Sequence, residues 1–193
     1  MTEPDGQGRH TRVLALCGSL RAASINASLL RALARLAPEG ICVTLFATLG
    51  SLPLFNPDLE PAPPAPVVAL RQAVAAADAL LIASPEYAHG LSGTLKNALD
   101  WLVSFEPFVG KPVAVINASP RAHHAHEALL EILATMSAQL VHEACIALPL
   151  LGSGLDEEAM VADPQLCAAA RAVLGRLAAA SRAAPVTASF PVG

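Results

Sequence analysis

Gly18-Ser19-Leu20-Arg21-Ala22-Ala23-Ser24-Ile25-Asn26 gathers two hydroxyls, a guanidinium and a carboxamide in one short stretch. All of these groups donate hydrogen bonds to an anion: Ser19 and Ser24 through O–H, Asn26 through its amide, and Arg21 through a planar fork that meets two oxygens at once. The run before them, Arg12 to Cys17, is short and apolar, the pattern of a parallel strand covered on both faces. After them Ile25, Leu29, Leu33 and Leu36 recur at helical spacing, with Arg31 and Arg35 on the other side. A loop between a buried strand and a helix start collects unpaired backbone N–H groups and a partial positive charge, so a phosphate fits there. Taken alone, the loop equally suits a plain helix start in which Ser24 is the cap and Arg21 is solvated. Neither GxGxxG nor GxxxxGK[ST] is present.

A second group of chemically capable residues runs from Ser84 to Trp101. By residue type alone, Glu86 and Tyr87 line a site or simply occupy a solvated turn. Lys96, Asn97 and Asp100 are catalytic types, yet they share a helix pattern with Leu95 and Leu99. The spacing predicts an i,i+4 pair between Lys96 and Asp100, backbone hydrogen bonds for Asn97, and a core or interface position for Trp101, the only tryptophan. A third group, Asn117 to His126, is rich in histidine; His123 and His126 share a helix face and suggest a metal. No further Cys or His is spaced to complete a ligand set, which favours a solvated helix start and no metal.

The elements that must hold these residues follow from the apolar pattern. At 193 residues the chain suits one domain with a proper core. Strands are expected at Arg12–Cys17, Cys42–Phe46, Ala79–Ala83, Pro112–Asn117 and Val141–Leu148. They alternate with helices at Asn26–Ala37, Val67–Ala77, Gly93–Val103, His124–Met136 and Pro164–Ser181. That alternation predicts an α/β fold, a five-stranded parallel sheet with helices on both faces. Right-handed crossovers and a ligand loop after the first strand suit the order 2-1-3-4-5, with the switch point between strands one and three. The proline-stiffened stretch from Leu52 to Pro66 reads as a surface loop at the rim of the site. Residues 1–11 are expected as a flexible lead-in, 12–184 as the domain and 185–193 as a loosely held tail.

Composition removes several function classes. A formal charge of −4 with 15% charged residues and no basic stripe excludes nucleic acid as the main partner. No apolar run approaches the roughly 20 residues needed to span a bilayer, and Met1 to His10 lacks a signal-like apolar core. A cytoplasmic protein without membrane contact is the expectation. Cys17, Cys42, Cys145 and Cys167 are scattered, as reduced thiols are.

The first two motifs together resemble the NADPH-dependent FMN reductase family of flavodoxin-like proteins, which includes quinone, azo-dye and chromate reductases. The family pattern pairs a GSLR…S…N loop with PEYN and, shortly after, G-x-LKNA-[IL]-DW. Here Pro85-Glu86-Tyr87 and Gly93, then Leu95 through Trp101, match, while Ala88 stands in place of the usual asparagine. The resemblance implies an FMN cofactor whose phosphate is held by Ser19, Arg21, Ser24 and Asn26, with Leu20 and Ile25 between them. It implies an isoalloxazine ring lined by Pro85, Glu86, Tyr87 and Ala88, with a further contact from Ser119 after the fourth strand. It also implies NADPH or NADH as co-substrate, hydride transfer through the flavin in ping-pong order, and a small acceptor: a quinone, azo compound, free flavin or oxidised metal ion. The flavin then carries the redox step and no catalytic side chain is required. Arg121 stands where it could meet the 2′-phosphate of NADPH. A homodimer or tetramer is implied, compatible with the sparsely charged helices Gly93–Val103 and His124–Met136. An electron carrier or an FMN-binding sensor on the same fold is the alternative. Carriers tend to be strongly acidic and to enclose the ring between aromatics, whereas this chain has one Tyr and one Trp.

Overall fold

The computed structural model describes residues 10–119 and 121–183. The tail 185–193 and nearly all of the lead-in segment lie outside them, as do Pro120 and Ala184. In chain order the elements are β1 (Thr11–Cys17), α1 (Ile25–Arg35), β2 (Ile41–Leu45), α2 (Ala65–Ala76), β3 (Ala79–Ala83), β4 (Glu86–Tyr87), β5 (Gly90–Leu91) and α3 (Gly93–Asp100). They continue with β6 (Pro112–Asn117), α4 (His123–Thr135), β7 (Gln139–Leu140), β8 (Ile146–Ala147), α5 (Glu157–Ala162) and α6 (Pro164–Ala183). Thr11, assigned by sequence to the lead-in, opens β1, its N–H donating to the Gly40 carbonyl at 2.8 Å.

The main sheet runs β2-β1-β3-β6, with β7 and β8 both pairing β6, all in parallel. Every residue of β3 and β6 is buried, which explains their unbroken apolar sequences. Side chains alternate between the two faces of the sheet. Val13, Ala15 and Leu81 pack toward Leu29 and Leu33 of α1 and Val173 and Leu177 of α6. Leu14, Leu16, Leu80 and Ile82 pack toward Leu70 of α2, Leu95 and Leu99 of α3, and Leu129 and Leu133 of α4.

The fold class expected from the sequence is present, with one correction to the strand count. Val141–Leu148 is not a continuous fifth strand; a turn of 3-10 helix at His142–Ala144 separates β7 from β8. Where a continuous strand would accept from the backbone of Val115, the Cys145 Sγ takes that N–H at 3.4 Å. The pairing is resumed beyond the turn, where Leu148 N–H donates to the Asn117 carbonyl at 2.7 Å.

Two further elements carry too little periodic sequence to be read in advance. The hairpin of β4 and β5 has two residues per strand. Helix α5 is six residues long, capped by Asp156, which accepts from Ala159 N–H at 2.9 Å. Arg31 of α1 holds Glu157 of α5 at 2.6 Å, and Arg35 pairs with both Glu157 and Glu158.

The proline-rich connection is pinned to α3. Asn97 accepts from Phe55 N–H at 2.8 Å and donates to the Pro53 carbonyl at 2.9 Å, and Trp101 Nε1 donates to the same carbonyl at 2.8 Å. Trp101 is fully buried, with Phe55 edge-on at 5.0 Å. Lys96 pairs with Asp100 along the exposed side of the helix. Asn97→Ala leaves the Phe55 N–H unpaired and the Pro53 carbonyl with Trp101 Nε1 alone, and should cost about 1–3 kcal/mol of stability. Urea unfolding followed by the fluorescence of Trp101 checks this.

Candidate functional site

Beyond the carboxyl ends of β1 and β3 the two strand exits run against each other. Gly18 N–H donates to the Ala83 carbonyl at 2.8 Å. A Cβ on Gly18 would lie 2.7 Å from the hydroxyl oxygens of both Ser84 and Ser92, and 3.2 Å from Leu95 Cβ. The glycine is therefore required by close approach, and it brings the two motif loops to opposite sides of one cleft.

On the first side the chain turns into α1 at Ser24, whose extended backbone and side chain accepting from Ala27 N–H at 3.3 Å form the N-cap. The helix itself supplies no partner for the N–H groups of Ile25 and Asn26. Asn26 is buried, and its Oδ1 has no hydrogen-bond partner. Arg21 is exposed. A cavity of about 460 Å³ opens here, and Ser19, Arg21, Ser24, Ile25 and Asn26 form one end of its wall. Pro85, Glu86 and Tyr87 line it on the second side and Ser119 on the third. Two residues expected at the site are not on this wall. Leu20 is 64% exposed and lies over Gly50, and Ala88 sits at the hairpin tip.

The second side is built by hydrogen bonds among short side chains. Ser84 Oγ accepts from Ser92 N–H at 3.3 Å and donates to the Pro85 carbonyl at 3.1 Å, while Ser92 caps α3 by accepting from Leu95 N–H at 3.2 Å. The turn between β4 and β5 carries Ala88 and His89 at φ +50° and +59°, a left-handed pair without glycine. Glu86 reaches out of the hairpin, and its Oε2 accepts from Ala125 N–H at 2.9 Å, capping the first turn of α4 from outside. That hydrogen bond, helped by the neighbouring imidazoles of His124, His89 and His123, holds the Glu86 carboxyl below the usual carboxylate range.

On the third side Asn117 shapes the exit of β6. Its Oδ1 accepts from Ser119 N–H at 2.9 Å and its Nδ2 donates to the Ala122 carbonyl at 3.0 Å. Sequence reasoning passed over Asn117 as a strand end, although a buried polar residue closing an apolar strand marks a turn that needs its carboxamide. It also missed Leu151, which follows β8 and reaches the cavity wall because both Leu150 and Leu151 donate to the Ala118 carbonyl at 3.1 Å. Arg121, read from the sequence as a phosphate contact, is on the wall as well. His123 and His126 do not converge as a metal pair. His123 donates from Nδ1 to the Arg121 carbonyl, while His126 turns into a small cavity behind Ser84 and Asn117, where burial lowers its pKa. Among the described residues no three His, Cys, Asp or Glu groups are placed to hold a metal ion.

This donor set fits a phosphorylated, planar ligand. One end offers hydroxyls, a guanidinium, the unpaired N–H groups of the helix start and the carboxamide of Asn26, and the other is walled by Pro85, Glu86 and Tyr87. The cavity is of the size that small-molecule cofactors occupy. Because the Glu86 pKa is depressed in the fold, its capping contribution is present above the ordinary carboxylate range and is lost as pH falls through the folded pKa. The stability difference between the parent chain and Glu86→Gln should therefore shrink as pH is lowered from about 6 to about 3. Thermal unfolding of both across that window checks the sign.

Residues 11–150 match a protein family described as NADPH-dependent FMN reductase. Over 112 residues the chain is 43% identical to the NAD(P)H-dependent FMN reductase PA1204 of Pseudomonas aeruginosa, a match covering 56% of this chain and 60% of that protein. The quinone reductase of Escherichia coli is 38% identical over 112 residues, again 56% of this chain and 60% of the relative. The chain thus spans about 60% of the length of these curated relatives. Among solved structures, FerB, the flavoenzyme NAD(P)H:(acceptor) oxidoreductase of Paracoccus denitrificans, superposes with a TM-score of 0.74 at 28% identity, covering 89% of this chain and 96% of that one. On the extent of the family match, and on a fold shared with a flavoenzyme, the chain belongs to the NADPH-dependent FMN reductase family.

Proposed function

We propose that this chain is an NAD(P)H-dependent FMN reductase that passes reducing equivalents to a small oxidised acceptor, a quinone first among them. The observation that carries the reading is the cavity at the switch point, walled by Ser19, Arg21, Ser24 and Asn26 after β1 and by Pro85, Glu86 and Tyr87 after β3. Ser19, Arg21, Ser24 and Asn26, with the helix N–H groups beside them, hold the FMN phosphate. Pro85, Glu86, Tyr87 and Ser119 line the ring, and Leu20, Ile25 and Ala88 support the same two loops. Bound there, FMN supplies the two-electron chemistry, taking hydride from NAD(P)H and returning it to an acceptor such as a quinone, azo compound, free flavin or oxidised metal ion. The side chains bind and orient, and none is needed as an acid or base.

An open ring face favours the reductase over an electron carrier. Trp101 is fully buried in the core beside Phe55, so Tyr87 is left as the large aromatic side chain on the cavity wall. With no second large aromatic side chain on the cavity wall among the described residues, nicotinamide and acceptor enter in turn at one face, which supports ping-pong kinetics. The working form in this reading is a cytoplasmic homo-oligomer whose domain begins with Thr11, the first residue of β1. Among the described residues no helix is long and apolar enough to cross a membrane.

The purified protein, reconstituted with FMN and mixed anaerobically with NADPH, should lose its visible flavin absorbance and regain it on addition of a quinone. Flavin that binds without bleaching supports a carrier instead, and failure to bind flavin overturns the reading. Arg21→Ala removes one charge-assisted contact with the phosphate and should weaken FMN binding by about 2 kcal/mol, more than tenfold, with thermal stability of the flavin-free protein unchanged. Fluorescence titration of FMN checks this.

A further inference from the structure

Beside the cofactor cavity three exposed imidazoles meet from two elements. His89, at the hairpin tip, has its ring edge-on to His124 of α4 with centroids 4.5 Å apart, and His124 in turn lies against His123 at 4.1 Å. Arg121, one turn earlier in the chain, lines the cavity itself. His89 is brought there by a left-handed turn that Ala88 and His89 adopt without glycine, so the hairpin holds this position against its local backbone preference.

The hydrogen bonds leave the outer ring nitrogens available. The Nδ1 of His123 contacts the Arg121 carbonyl at 3.2 Å, and since a carbonyl only accepts, that nitrogen carries the hydrogen. The Nδ1 of His89 faces Glu86 Oε1 at 3.4 Å. In His123 and His89, Nε2 is then the nitrogen left to meet a ligand. The His89 side chain is 76% exposed, so this ring faces solvent.

The charges around the cluster do not balance once the imidazoles protonate. From the hairpin comes the single carboxylate of Glu86, already accepting from Ala125 N–H, with the phenol of Tyr87 beside it in the chain. From α4 come His123 and His124, with Glu127 one turn on, next to His126. From the loop before α4 comes Arg121. Two carboxylates, Glu86 and Glu127, the first already committed to Ala125 N–H, thus stand against a guanidinium and three imidazoles.

Resting on the FMN reductase reading, we propose that His89, His123, His124 and Arg121 form a subsite for the oxyanion group of the second substrate, filled more strongly as pH falls. The shared chemistry is a phosphate, sulfonate or enolate oxygen. It is carried either by the 2′-phosphate of NADPH or by an acidic substituent on an aromatic acceptor.

The test is the double variant His89→Gln/His124→Gln in the full chain, with KM measured for NADPH against NADH and for a sulfonated naphthoquinone against its neutral parent, at about pH 6 and about pH 8. At the lower pH, KM for NADPH, for the sulfonated quinone or for both should rise by about threefold to tenfold, while KM for NADH and for the unsulfonated quinone, which lack the extra oxyanion, stays put. The pair that separates identifies the source of the anion. Histidine ring-proton NMR of the parent protein supplies a readout free of turnover, since inorganic phosphate or 2-naphthalenesulfonate should shift the resonances of this cluster at low pH. Resonances unmoved by both probes, or KM values that change equally within both pairs, overturn the proposal. Ring protons that respond in a protein that binds no FMN uphold the subsite while the reductase reading fails.

Discussion

The site depends on one contact between chains leaving adjacent strands. At Gly18 the exit of β1 is drawn onto Ser84, Ser92 and Leu95, at distances that no side chain at position 18 would allow. The serines are not free to yield, because Ser84 bonds Ser92 N–H and the Pro85 carbonyl, and Ser92 caps α3. Strand order alone would give a cleft between β1 and β3. The glycine contact sets how wide that cleft is and where its two lips stand.

Around this junction the protein divides its few charges by task. Arg31 and Arg35 on the outer side of α1 are committed to Glu157 and Glu158 of α5. Those ion pairs are exposed and contribute little to stability singly. Their effect is positional: they tie down the segment after β8 that presents Leu151 to the cavity. Arg21 and Arg121 are the guanidiniums on the cavity wall. Glu86 faces outward to α4, so its carboxylate locks the hairpin to the helix without opposing an anionic ligand at the far end of the cavity. The interruption between β7 and β8 follows a similar logic, since the thiol of Cys145 satisfies the Val115 N–H and lets the edge of the sheet bend without an orphaned donor.

Much of this was readable from sequence where burial is uniform. β3 and β6 coincide with the apolar runs Ala79–Ala83 and Pro112–Asn117, because strands covered on both faces must be apolar throughout. The structural roles of Asn97 and Lys96 were legible from their place on an amphipathic helix. That the loop after β1 belongs to a site was legible because its residues are contiguous, so one short motif forms most of one cavity end. What escaped was what tertiary contacts decide. The apolar run Val141–Leu148 has the composition of a strand, but a thiol in place of a carbonyl breaks it. Helix α5 is too short for any periodicity, and its partners are 122 to 126 residues away. Leu20 and Ala88 sit inside recognisable motifs, yet a motif does not say which way a side chain turns, and neither lines the cavity.

If the cleft is held open to its working width by the close approach at Gly18, its occupant must feel the loss of that approach. The direct measurement is FMN affinity, together with the thermal midpoint of the flavin-free protein, for Gly18→Ala. The added methyl must displace Ser84 or Ser92, so both quantities should fall, stability by about 1–3 kcal/mol and affinity by about tenfold or more. A Gly18→Ala protein that keeps the parent's midpoint and binds FMN as tightly would contradict the account, because the two lips of the cleft would then be positioned by something other than their contact.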